Sequence, residues 1–172
     1  MFKNIFIFTL ILAAAILRIA DILPYNFTPI AAIALFGGAM FDNRSLAFLA
    51  PLSIMFISDL FIGFHDTMFA VYAGFLSIVL IGQMIRKNTN MLTAMGGALL
   101  GSVLFFLITN AAVWYGSPYY SQDLSGLLNS YSLGLPFFRG TLVGNMLFTA
   151  LFFKTFSLAE KRFPIALESQ LV

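Results

Sequence analysis

The sequence contains no cysteine and a single histidine. The first absence excludes disulfides, thiolate metal sites and a cysteine nucleophile, and the second leaves no set of imidazoles from which a protein metal site is built. Charge is scarce too: 9% of residues are Asp, Glu, Lys or Arg, far below the share found in soluble domains. With no basic tract, the net charge of +2 gives no reason to expect nucleic acid as a partner. There is no Gly-rich phosphate loop, no Ser-x-x-Lys and no His-Glu-x-x-His, so the chain carries no ATP site of its own. No catalytic residue, metal or cofactor is expected, and energy for any transport must come from partners or gradients.

What is abundant is apolar surface. Hydrophobic residues make up 60% of the 172, phenylalanine alone accounts for 21, and the mean hydropathy is +0.96. The pattern predicts an all-α polytopic membrane protein forming a single transmembrane domain over 1–172, with about six spans at 5–23, 29–41, 46–63, 68–85, 91–114 and 139–158. The lipid bilayer is therefore its first partner. The first run follows Lys3 and contains Ala13, Ala14 and Ala15, which also fits a signal peptide, but its apolar pattern continues to Leu23, a length that spans. The second run is short for a full crossing and reads as tilted, thin or partly re-entrant, with Thr28 as N-cap and Pro29 as first helical residue. The longest connection, 115–138, is rich in Tyr, Ser, Gly and Pro and is expected to hold a short interfacial helix at 127–135 and to act as a mobile outer lid. The tail, 159–172, reads as a surface-lying end.

Basic residues set the orientation, because Lys and Arg are retained on the cytoplasmic side of short loops. Six spans with both termini cytoplasmic place Lys3, Arg44, Arg86, Lys87, Lys154, Lys161 and Arg162 inside and leave Arg18 and Arg139 outside. The expected location is the cytoplasmic (inner) membrane, as a multi-pass protein.

Helical rise then assigns depth. Asp59 falls about 20 Å from the inner face, and Tyr72 and Asn145 about 6 and 9 Å below the outer one. Asn26, His65, Asn110, Trp114, Tyr131 and Arg139 fall at the same outer end. These nine side chains are the candidate substrate-binding set, since a small-molecule site needs an apolar, aromatic enclosure with a few placed polar groups. An ionisable group inside a span is costly unless paired or wetted, which makes Asp59 the foremost candidate. Each has a structural alternative. Arg18 and Asp21, three apart, suit an intrahelical pair. Asp59 suits a brace on neighbouring backbone, and His65 with Asp66 a solvated turn. Trp114, Tyr115, Tyr119 and Tyr120 suit an interfacial belt, and Asn110 and Asn145 interhelical hydrogen bonds.

Four stretches are distinctive together: Asn26-Phe27-Thr28-Pro29-Ile30-Ala31-Ala32, Ser58-Asp59-Leu60-Phe61-Ile62-Gly63-Phe64-His65, Thr109-Asn110-Ala111-Ala112-Val113-Trp114 and Leu135-Pro136-Phe137-Phe138. They resemble an uncharacterised family of small bacterial membrane proteins labelled as candidate transport proteins. In size and six-helix plan the chain also resembles the substrate-binding subunits of energy-coupling-factor vitamin transporters. That likeness implies a small-molecule ligand, such as a vitamin or cofactor precursor, held near the outer face. It also implies a transmembrane coupling subunit docked on small residues of the first helix, here Ala13 to Ala20, with ATPases behind it. The expected function is small-molecule uptake. The rival expectations are a membrane enzyme using Asp59 and His65 as an acid–base pair, and a structural or assembly subunit.

Overall fold

The computed structural model describes residues 26–162 without interruption and, before them, Thr9, 12–14, 16–20 and Leu23. The described residues are all helix and connection, with no strand among them. Thr9 and residues 12–14 and 16–20 are helical; the other residues of the expected 5–23 span except Leu23, Asp21 among them, and all of the tail beyond Arg162 lie outside the described residues. Five helices follow: α1 (Ile30–Met40), α2 (Arg44–Ile62), α3 (Met68–Ile85), α4 (Met91–Gly116) and α5 (Leu124–Arg162), with a 3-10 turn at Arg86–Asn88.

Local chemistry sets the helix ends. Asn43 starts α2, its Oδ1 accepting from the Ser45 and Leu46 amides at 2.9 and 3.4 Å. Gly63 ends it at φ +106°, a conformation open to glycine, and donates its amide to the Asp59 carbonyl at 2.9 Å. A reciprocal capping box opens α4: the Asn90 side chain accepts from the Thr93 amide, and the Thr93 hydroxyl accepts from the Asn90 amide, each at 3.0 Å. Pro29, rather than Thr28, is the residue before α1; it makes no side-chain cap and offers its carbonyl to Ile33.

Among the described residues, four helical stretches are long and apolar enough to cross a membrane: Arg44–Ile62, Met68–Asn88, Met91–Gly116 and Leu124–Ala159. Their apolar side chains point outward as well as inward, with Phe69, Met84 and Leu92 about four-fifths exposed. That distribution fits hydrocarbon as the surrounding solvent, and the chain is a helical membrane protein.

α1 is different. Its 11 residues rise about 17 Å, roughly half a hydrocarbon core, and all but Met40 are buried. Phe27, just before it, packs on Gly144 and on Phe148 of α5, with ring centroids 5.5 Å apart. Met40, at the far end of α1, lies beside Asn90 and Met91 where α4 starts, and Leu35 packs on Gly97, so α1 begins roughly 15 Å inside that end. It is a half-length helix enclosed by its neighbours.

Gly38 and Gly82 let α1 and α3 touch through their backbones: a Cβ at either would lie 2.2 or 2.3 Å from the carbonyl oxygen of Val79 or Leu35. At the level of the crossing, Phe36 is surrounded edge-on by Phe41, Phe152, Phe153 and Phe156, which joins α1 to the last turns of α5.

The expected connection at 115–138 is corrected by α5, which begins at Leu124 and continues for 39 residues through Pro136. The last span therefore does not start at Arg139, and the connection shrinks to 117–123. Hydrogen bonds tie this shorter connection to the end of α4. Trp114 Nε1 donates to the Ser121 carbonyl at 2.9 Å, and Gln122 Nε2 returns a bond to the Trp114 carbonyl at 3.0 Å. Gly126 sits so close to Ser121 that no side chain fits between them.

Candidate functional site

Asp59 lies three residues before the end of α2, where its helix faces α3 and the N-terminal helical residues. Its side chain is fully buried and both oxygens are occupied. Arg18 Nη1 donates to Oδ1 at 2.6 Å and the Tyr72 hydroxyl donates to Oδ2 at 2.7 Å. The same guanidinium nitrogen contacts Ser58 Oγ and lies 3.4 Å from the Met55 carbonyl. Ser58 in turn donates back to the Ile54 or Met55 carbonyl, at 2.7 and 2.9 Å. Arg18 thus bonds across to α2. A buried carboxylate with a charged donor on one oxygen and a phenol on the other is satisfied, and the three elements carrying these groups are tied at one depth.

A second polar group links α4 to α5. Asn145 is fully buried and donates Nδ2 to the Ala98 carbonyl at 2.9 Å and to Ser102 Oγ at 3.0 Å, while Thr149 Oγ1 donates to its Oδ1 at 3.3 Å. Further along the same pair, Asn110 turns its Nδ2 to the Phe106 carbonyl at 2.9 Å and receives Ser130 Oγ on its own carbonyl at 2.9 Å. Gly134 faces the Asn110 side chain, leaving no room for a Cβ. Tyr131 donates to the Leu107 carbonyl at 3.1 Å. Asn110, Tyr131 and Asn145 are thus engaged along the α4–α5 seam.

At the tip of that hairpin, Asp123 caps α5. Its Oδ1 accepts from the Gly126 amide and from the Ser121 hydroxyl, both at 2.8 Å, and its carbonyl accepts from Leu127. These donors, the Gly126 amide foremost, hold its carboxyl below the usual carboxylate range. His65 is exposed, with Nδ1 3.1 Å from Thr67 Oγ1. Asn26 is exposed at φ 59°, and Arg139 is an exposed residue inside α5. Among the described residues, no three His, Asp or Glu side chains are grouped to hold a metal ion.

The nine candidates therefore divide. Asp59 and Tyr72 meet directly, Asn110 and Tyr131 lie on one stretch of the α4–α5 seam, Asn145 lies deeper along it, and Trp114 braces the tip. His65 and Asp59, the acid–base pair of the enzyme reading, bond to different partners. The residues sequence reasoning passed over are Ser58, Ser102, Ser130 and Thr149, all buried. Their signal was a small hydroxyl inside an apolar run, which alone does not distinguish an interhelical bond from a back-bond to the preceding turn.

An open recess of about 670 Å³ lies beside these groups, between the α2–α3 turn and the end of α4. Asp66, Thr67, Phe69 and Ala70 form one wall, Ala112, Val113, Tyr115 and Gly116 the other, and Ser117, Pro118 and Tyr119 its rim. None of the nine candidates lines it. Phe105 packs on Phe75, so α4 continues 11 residues past that level and α3 only seven. The hairpin tip consequently projects about 6 Å beyond the α2–α3 turn and overhangs the recess.

The sequence profile of a family of unknown function (DUF6580) matches residues 1–167, and the chain belongs to that family. No curated protein and no solved structure matches the chain.

Proposed function

Starting from membership of a family that supplies no activity, we propose that this chain is a multi-pass protein of the cytoplasmic membrane that captures a small molecule for uptake. Its ligand, of the size of a vitamin or cofactor precursor, occupies the recess between the α2–α3 turn and the α4 end. The observation that carries this reading is the recess itself: about 670 Å³, with Phe69, Tyr115 and Tyr119 supplying apolar and aromatic surface and Asp66 a single charge to orient the ligand. It opens at the end opposite Arg44, Arg86, Lys87, Lys161 and Arg162, hence on the non-cytoplasmic side.

The half-length α1 supports transport over a purely structural role. Discontinuous helices that begin inside the bilayer are found where carriers build substrate paths. The partner reading is a transmembrane coupling subunit with its ATPases, docking on the N-terminal helical residues, where Ala13 and Ala20 are exposed and Ala14 is buried against the bundle.

Native mass spectrometry of the gently purified full chain tests the proposal. A co-purified small molecule is expected, retained by the wild type and lost from Asp66→Asn and Tyr115→Ala. Retention unchanged in both variants would take the ligand out of the recess. Absence of any bound molecule, also after incubation with a metabolite extract, would overturn the uptake reading.

A further inference from the structure

The opposite end of the bundle carries a second recess, of about 320 Å³, between the end of α1, the start of α4 and the last turns of α5. We infer that it holds the phosphate headgroup of an anionic membrane lipid. Lys154, Ser157 and Lys161 line it from one face of α5, at spacings of three and four, while Met40, Phe153 and Phe156 supply apolar wall. Among the described residues neither lysine has a hydrogen bond or ion pair, and no carboxylate is among the described lining side chains.

The other polar groups at the rim are already engaged. Asn90 is committed to the capping box with Thr93, and the Thr89 hydroxyl donates to the Ile85 or Arg86 carbonyl at 3.1 Å. The free donors are therefore two ammonium groups and the Ser157 hydroxyl. Two turns of helix separate the lysines by about 10 Å, a gap that two flexible four-carbon stems close onto one phosphate between them. A solvated basic surface would need no adjoining apolar wall. A lipid uses both, its phosphodiester on the lysines and its first acyl carbons on Met40 and Phe156. Basic pockets between membrane helices take anionic headgroups on this physical ground.

The test uses the full chain in detergent, titrated with phosphatidylglycerol, phosphatidylcholine or inorganic phosphate and read by native mass spectrometry. Phosphatidylglycerol is expected to be retained at least about ten-fold better than phosphatidylcholine, since only the former carries a net charge for the lysines. Each lysine contributes roughly five-fold, so the Lys154→Gln/Lys161→Gln variant should lose the preference. Lys87→Gln, at the same end but outside the recess, should keep it, and Lys154→Arg/Lys161→Arg should retain most of it, which separates charge from folding. An undiminished preference in the Gln double variant would overturn the site. Tight binding of inorganic phosphate without phosphatidylglycerol retention would overturn the lipid assignment in favour of a soluble phosphate ligand.

Discussion

Arg18 and Asp59, 41 residues apart in the chain, are joined Nη1 to Oδ1 at 2.6 Å, and the carboxylate at the centre of the contact is closed to solvent. Removing one partner strands the other in a low-dielectric surrounding. Arg18→Gln and Asp59→Leu should therefore each lower stability by about 3–5 kcal/mol. An apolar replacement of the whole set, Arg18→Met/Asp59→Leu/Tyr72→Phe, leaves no charge or phenol without a partner and should recover most of that loss. Thermal unfolding in detergent, followed by circular dichroism, measures both. Equal losses in the single and triple variants would mean that packing, not charge pairing, sets the cost.

The α1–α3 crossing is held by the absence of side chains. Gly38→Ala or Gly82→Ala would drive a methyl into a backbone carbonyl, which neither helix can rotate away as a side chain would. Overpacking of this kind costs about 1–3 kcal/mol or more. Gly96, whose added Cβ would meet open space, is the control, and Gly96→Ala should leave the melting temperature unchanged or slightly higher.

The cap on α5 should titrate. Asp123 has its carboxyl held below the ordinary 3.8 by donors present in the folded hairpin, so its contribution to stability is complete above that value. It fades as pH falls through the lower folded pKa. Hydrogen exchange at the Ser125 and Gly126 amides, corrected for intrinsic rates, should accelerate across that acid window in the wild type. In Asp123→Asn, which keeps an acceptor without a titratable group, the acid dependence should vanish. An identical acid response in the variant would place the titrating group elsewhere.

Much of the scaffold was legible because apolar runs between polar turns leave few alternatives. The expected spans at 46–63, 68–85 and 91–114 lie within two residues of α2 and α3 and of the observed ends of α4. The error at 115–138 has a physical cause. The segment's richness in Gly and Pro suggested a connection, yet α5 runs through Gly126, Gly134 and Pro136; the two glycines are where it approaches Ser121 and Asn110, and tertiary contact overrides their low helix propensity. The site was harder for a different reason. Sequence spacing favours Asp21, three residues away, as a neighbour of Arg18, but the bond across to Asp59 depends on how helices pack. Likewise the recess walls, Phe69 and Tyr115, are ordinary lipid-facing or interfacial aromatics until α4 and the α2–α3 turn are set side by side.

The orientation of the bundle follows from the same ends. Arg86 donates to the Phe41 carbonyl at 2.8 Å and to Asp42 at 3.0 Å, which fixes the 3-10 turn beside the α1–α2 turn and gathers Arg44, Arg86 and Lys87 at one end. The opposite end carries Trp114, Tyr115, Tyr119 and Tyr120, with Arg18 and Arg139 the described cations lying toward it. Retention of basic loops in the cytoplasm would then put 86–90 inside and 117–123 outside. Because the chain has no cysteine, single substitutions report without background. Asn88→Cys and Ser121→Cys, treated with a membrane-impermeant thiol reagent on intact cells, should differ, with Ser121→Cys modified and Asn88→Cys modified only after the membrane is opened. The reverse pattern would place the larger recess on the cytoplasmic side, where capture of an external ligand is impossible, while labelling of both from outside would put the two loops on the same side, so that α4 would not cross the membrane between them.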